Sequence, residues 1–317
     1  MFKKILITLF FLFPYIVHAQ EDGYSYGWKV PKTPLHVGGY FSLNYDDKET
    51  LAFDDIALLF YGNHDKFHIL GEVEIADIAL EKLDFTKNRL HIERLQVNYD
   101  VDDDGILTVG KFNSDMGYWN QTPVNVLDDT TTSPHILKNI FPKQTTGVMY
   151  KRSLKEGDAA FSAMFQHNNN IDKNYNNMVL DRHYALNYQN MSGQFFWRVG
   201  AGYFRRDSGQ DAFYTGLGVS KESDTWTWLG EVFHKREGDS NDIPYDGYIQ
   251  GTWHWQYAHD LVFREEMYHD KKSDVRENIS LLGYTYRPWA SVAVKGEYVW
   301  HSKLPKNRFV FSLSVIF

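Results

Sequence analysis

The feature that most constrains this 317-residue chain is a two-residue alternation of apolar and polar side chains that recurs along it and ends in residues 305–317. There Phe309, Phe311, Leu313, Val315 and Phe317 share one face, while Arg308, Ser312 and Ser314 share the other with Val310 and Ile316. Successive side chains of a strand point to opposite faces, so such a stretch meets two different media. A strand that ends on an aromatic has no flanking turn to shield it. It needs a neighbour on each edge and apolar surroundings on its greasy face, and a closed barrel in a membrane supplies both.

The same alternation predicts sixteen strands, at about 34–45, 51–62, 66–77, 88–100, 105–113, 144–153, 158–167, 180–190, 194–205, 211–221, 224–236, 246–257, 260–270, 276–287, 290–302 and 306–317. An even count suits a single-chain barrel with both termini on one side. Tight connections at 63–65, 101–105, 154–157, 190–193, 221–224, 258–260 and 287–290 alternate with a second set. That set holds the longer, Asn-, Asp-, Thr- and Pro-rich stretches 78–87, 114–143, 168–179 and 237–245, and also four short ones. Short turns on one side and longer loops on the other are the pattern of an up-and-down transmembrane barrel, whereas a sandwich has no such parity. The fold class expected is therefore all-β, a transmembrane antiparallel up-and-down β-barrel of 16 strands.

Aromatic residues give an independent check, because outward rings beside the tight turns would form an interfacial girdle. Phe60, Phe67, Tyr99, Phe161, Tyr188, Phe195, Trp197, Trp226, Trp228, Trp255, Tyr257, Tyr286 and Phe317 all occupy such places. The parity then assigns the two faces: on 66–77, Phe67, Ile69, Val73 and Ile75 face lipid, and His68, Glu72 and Glu74 face the lumen. Segments 88–100, 260–270 and 276–287 alternate less cleanly and are expected to carry a bulge or register change.

Compartment and partners follow from the remainder. Residues 1–19 read as a secretory signal, with Lys3 and Lys4 ahead of an apolar run too short to span a bilayer as a helix and a small-residue cleavage site at 17–19. Residues 20–33 are a polar periplasmic lead-in and 34–317 the barrel. Without the leader the chain holds 31 basic and 41 acidic residues, a balance of −10 that argues against nucleic acid as a partner. There is no cysteine, hence no disulfide framework or thiolate metal site. Mean hydropathy is −0.46, and no second long apolar run follows the leader, as expected when every second residue of a span is polar.

The stretches 107–112, 117–120 and 140–147, together with the strand count, the position of the longest connection and the terminal Phe317, resemble Gram-negative outer-membrane porins of sixteen strands. Relatives of the phosphate-selective O/P type are included. The resemblance implies passive diffusion of small hydrophilic solutes or ions, an outer-membrane location, lipid contact and a homotrimer. It also implies that Phe317 is the C-terminal signal read by the assembly machinery, and that loop 114–143 folds into the pore as its constriction. No cofactor or metal is expected. The lumen parity adds the wall acids Asp55, Glu72, Glu74, Glu231, Glu266 and Glu297 and the wall bases Arg94, Arg198, Lys235, Arg264, Lys295 and Arg308. With Asp115, Asp128, Asp129 and Lys138 on the loop, these are the candidate pore-lining residues. A transverse field between loop acids and a basic wall would slow apolar solutes. The wall is balanced in charge, unlike the basic rows on which phosphate selectivity depends.

Other chemistries are weakly marked. Asp100–Gly105 mimics the start of a calcium loop, but its twelfth position is Lys111 instead of a carboxylate, which favours a hairpin turn. His234, His254, His269 and His301 stand singly, and Ser302 would face away from His301, so no nucleophile–base pair forms a catalytic candidate. A barrel enzyme and a closed, plugged or structural barrel are the alternatives to an open pore.

Overall fold

The computed structural model describes residues 27–47, 51–79, 90–122, 124, 128–154, 158–173, 175–238 and 241–317. The expected leader, most of the lead-in, and the centres of the connections at 80–89 and 155–157 lie outside the described residues. The described residues form seventeen strands: β1 (Trp28–Lys29), β2 (Leu35–Asp46), β3 (Ala52–His64), β4 (Phe67–Ala79), β5 (His91–Asp100), β6 (Gly105–Asn113), β7 (Gln144–Leu154), β8 (Ala159–Gln166), β9 (Leu180–Ser192), β10 (Phe195–Arg206), β11 (Asp211–Glu222), β12 (Trp226–Arg236), β13 (Ile243–Gln256), β14 (His259–Asp270), β15 (Val275–Trp289), β16 (Val292–His301) and β17 (Arg308–Ile316).

From β2 to β17 each strand pairs antiparallel with the next, and β17 returns to β2 from Val310↔Asp46 to Ile316↔Tyr40, closing a sixteen-stranded barrel. At that seam the main chain of Phe317 exchanges two hydrogen bonds of 2.8 Å with Gly39. Beyond it, β1 pairs with Val37 and His36 of β2, so a two-residue strand within the lead-in carries the line of β17 to the turn side of the barrel. The seam thus has no open edge. Inside it, the Ser42 and Ser314 hydroxyls meet at 2.9 Å.

The outer surface is apolar. Leu58, Leu186, Val199, Leu217, Val232 and Ile249 are exposed there, which is stable only against hydrocarbon. Rings beside the tight turns touch one another, as Phe67 and Tyr99 do at 5.0 Å, Tyr188 and Trp197 at 5.4 Å, and Trp226 and Trp253 at 5.9 Å. A second belt runs at the opposite end through Phe165, Tyr184, Tyr203 and Phe213. Two belts bracket an apolar band, as in barrels that cross a bilayer. One outward residue of the last strand departs from expectation: Val315 is buried, flanked across the ladder by Phe41 and Val292.

Register changes occur in β5, near the end of β15, and between β13 and β14 opposite His259 and Asp260, whereas β14 pairs with β15 unbroken from His259 to Asp270. The interior also differs from a uniformly polar lumen. Met164, Ala185, Phe204, Tyr214, Phe233 and Tyr248 point inward from β8–β13 and join Met116, Ile136, Ile140 and Phe141 of the 114–143 connection in one buried cluster. The β8–β13 side of the barrel thus carries a buried apolar cluster to which the long connection contributes side chains.

Candidate functional site

The 114–143 connection is fastened to the wall by groups that parity had placed in the lumen. A 3-10 turn at Trp119–Gln121 and a short helix at Ile136–Asn139 shape it, and charged wall residues satisfy its main chain. Arg198 on β10 donates to Gly117 O at 2.8 Å and to the Asp115 carboxylate at 2.9 Å. Ser162 gives Asp115 a further bond of 2.7 Å, and Lys151 stands 3.7 Å away. Burial alone would raise the Asp115 carboxyl, but Lys151 and Arg198 outweigh it and hold the group below its ordinary value. On β12, Glu231 accepts from Tyr118 N at 2.9 Å.

Further along, Arg264 of β14 donates to Thr130 Oγ1 and Thr132 O, and Lys295 of β16 reaches Thr130 O at 3.3 Å. Glu297 accepts the backbone N–H groups of Thr131 and Thr132, both at 2.9 Å, and Glu266 that of His135 at 2.7 Å. Asp129 is bound by Thr252 at 2.7 Å and by Arg287 at 3.2 Å. Glu231, Arg198, Arg264, Lys295 and Glu297 thus act first as anchors of the connection: a buried peptide group left unpaired costs about 1–3 kcal/mol, and these side chains supply the partners. Glycines admit it at close range. A Cβ on Gly218 would lie 2.7 Å from the Tyr118 ring.

The space left open lies on the other side, against β2–β5. It is a cavity of about 510 Å³ lined by Asp54, Asp55, Glu72, Glu74, Glu93 and Asp128, with Arg94 and Lys143 as its only two basic residues among those described. Tyr40 donates to Glu72 at 2.5 Å and lies 3.3 Å from Glu74; Arg94 binds Glu72, and Tyr175 binds Glu74. Burial within the barrel pushes the Asp128 carboxyl up to about 7, with Asp129 reinforcing and Lys295 opposing the shift. Lys138 lies apart, beside Arg308 and Asp46 in a smaller cavity of about 280 Å³, and burial lowers its ammonium.

The candidates therefore fall into three places. Asp55, Glu72, Glu74, Arg94 and Asp128 line the open cavity, most of the others hold the connection, and Lys138 and Arg308 sit near the β2–β17 seam, with Lys235 apart from all three, paired with Glu237. Sequence parity missed Asp54 and Glu93, and the cause is common to both. The β2–β3 register passes from Ser42↔Asp55 to Leu43↔Phe53 and skips Asp54, and the β4–β5 register passes from Glu72↔Arg94 to Val73↔Ile92 and skips Glu93. A bulge inserts one residue and reverses the parity beyond it. The irregular alternation of 88–100 was the available signal for Glu93. From the connection 168–179, expected as an outer loop, Tyr175 reaches the cavity, stacked on His91 at 4.0 Å, with Asp172 bonded to the same histidine.

The weaker motifs resolve locally. Asp102 accepts from Asp104 N at 3.0 Å and from Arg152 at 2.9 Å, closing the hairpin turn before β6. Ser302 donates to Glu277.

Solved structures share this architecture. OmpF of Salmonella typhi, in complex with daunomycin, matches with a TM-score of 0.66 and 12% identity over 89% of this chain and 97% of that one. The anion-selective porin of Comamonas acidovorans gives 0.63 and 11% over 89% and 99%. The fold is the porin fold. The outer-membrane protein OmpT of Vibrio cholerae, expressed in the outer membrane, carries it too, at 0.63 and 12% over 91% and 99%. No family model and no curated protein matches the sequence.

Proposed function

We propose that this protein is an outer-membrane porin that passes small hydrophilic solutes or ions by diffusion. Residues 1–19 would serve as its export leader, and Phe317 as the strand end read during assembly. The observation that carries the reading is a polar cavity retained inside a closed barrel whose outer face is apolar. A barrel built only for anchorage would have no reason to keep six carboxylates in a water-sized space, since burying charge without water or counter-charge is costly. The connection 114–143 would narrow the pore by filling the β8–β13 half and leaving passage along β2–β5.

Purified full-length protein in planar bilayers tests this. A porin gives ohmic conductance steps without turnover of lipid or peptide, and excision of residues 124–133 enlarges each step. Absence of steps would favour the closed barrel to which the packed half-lumen lends itself. Steps of unchanged size after the excision would remove the connection from the constriction.

A further inference from the structure

We infer that the open passage selects solutes that carry ammonium or guanidinium groups; this rests on the porin reading and names the solute class for the same site. Two independent observations lead there. The first is the imbalance of the lining, six carboxylates against two basic side chains, with Arg94 already engaged by Glu72. Tyr40 presents one hydroxyl to both Glu72 and Glu74, so the two carboxylates converge on a single donor and repel each other. The second is Gln144. It lines the cavity, is 2% exposed and gives its amide N–H to Glu93, while its carbonyl oxygen Oε1 has no hydrogen-bond partner among the described residues. An orphaned buried acceptor beside crowded carboxylates is complemented by a cation that also donates hydrogen bonds.

Size and shape narrow the class. A space of about 510 Å³ admits a molecule of amino-acid or small-diamine size. Trp119 and Tyr175 add aromatic rings to its wall. Glu93 and Asp54 enter this lining through bulges, so the extra negative charge is placed where the barrel departs from its own alternation.

The test uses full-length protein in liposomes with arginine, putrescine, glutamate and glucose as probes, and reversal potentials in a KCl gradient. Arginine and putrescine should enter about tenfold faster than glutamate, as expected when a like-signed lining focuses counter-charge. The gap should shrink in Glu72→Gln/Glu74→Gln/Glu93→Gln protein whose conductance persists. The wild-type potassium preference should also weaken as salt rises past the screening length. Equal entry of arginine and glutamate through a conducting wild-type channel overturns the selectivity and leaves the pore. Absence of conductance and of any solute entry overturns the pore itself, and the selectivity with it.

Discussion

Arg198 shows how one side chain decides what the lumen contains. It spans from β10 to Asp115 and Gly117 O, with its guanidinium 5.3 Å from the centre of the Tyr118 ring, so it holds charge, main chain and aromatic face of the connection together. Removing one partner of a buried ion pair typically costs about 3–5 kcal/mol. Arg198→Ala is therefore expected to loosen the first turn of the connection and to give larger, noisier conductance steps; steps of wild-type size would show that Ser162 and Lys151 hold Asp115 unaided. Asp128 supplies a pH dependence. Its carboxyl is raised to about 7, so it is ionised above that pH and neutral below it. The lining loses a negative charge as pH falls from 8 to 6, and the cation-to-anion permeability ratio should fall with it. Asp128→Asn should flatten that change; an equal slope in the variant would assign it elsewhere.

At the scale of elements, the fit between β11 and the 114–143 connection depends on a missing side chain. Gly218 faces the lumen where Tyr118 lies, and a Cβ there would meet the ring at 2.7 Å and the Arg198 side chain at 3.1 Å. Overpacking of this kind costs about 1–3 kcal/mol. Gly218→Leu should preserve the barrel, since the strand pairs through main chain, yet displace the connection. Increased conductance with unchanged strand content by circular dichroism is the expected result, and wild-type conductance would count against the docking. The seam gives a second element-scale prediction. Deleting Phe317 removes two main-chain hydrogen bonds to Gly39 and the ring packed 5.9 Å from Trp28. A loss of about 2 kcal/mol follows from two such bonds, read as a lower urea midpoint in detergent.

For the whole molecule, closure is the property everything else requires. Ser42 and Ser314 are register partners with hydroxyls 2.9 Å apart across the seam, and the chain has no native cysteine to interfere. A Ser42→Cys/Ser314→Cys protein is expected to form an intramolecular disulfide on oxidation, because such Cβ positions suit the bond. Mass spectrometry of the linked peptides would detect it, and a product made only of cross-linked dimers would contradict the closed seam. Closure also explains the uneven interior. A barrel of this size encloses more space than its own side chains fill, so a long connection can occupy one half and leave a passage in the other.

How far the sequence reaches is clear from particular residues. Alternation located all sixteen strands and put Phe67 outside and Glu72 and Glu74 inside, because the period of a strand is a local property of the backbone. It also placed the aromatic rings of the turn-side girdle. It could not place Asp54 or Glu93, since each follows from a slip between two strands that only their pairing reveals. Nor could it say that Phe204, Tyr214 and Phe233 would meet Ile136, Ile140 and Phe141, for those contacts join residues 63 to 97 positions apart. The same holds for the anchors: that Arg198, Arg264 and Glu297 bind main chain instead of facing open water depends on where the connection comes to rest. The sequence by itself determined which side of each strand is greasy, through the two-residue period. Only the tertiary structure decided which charges line the remaining cavity, because that depends on which of them the folded connection has already engaged.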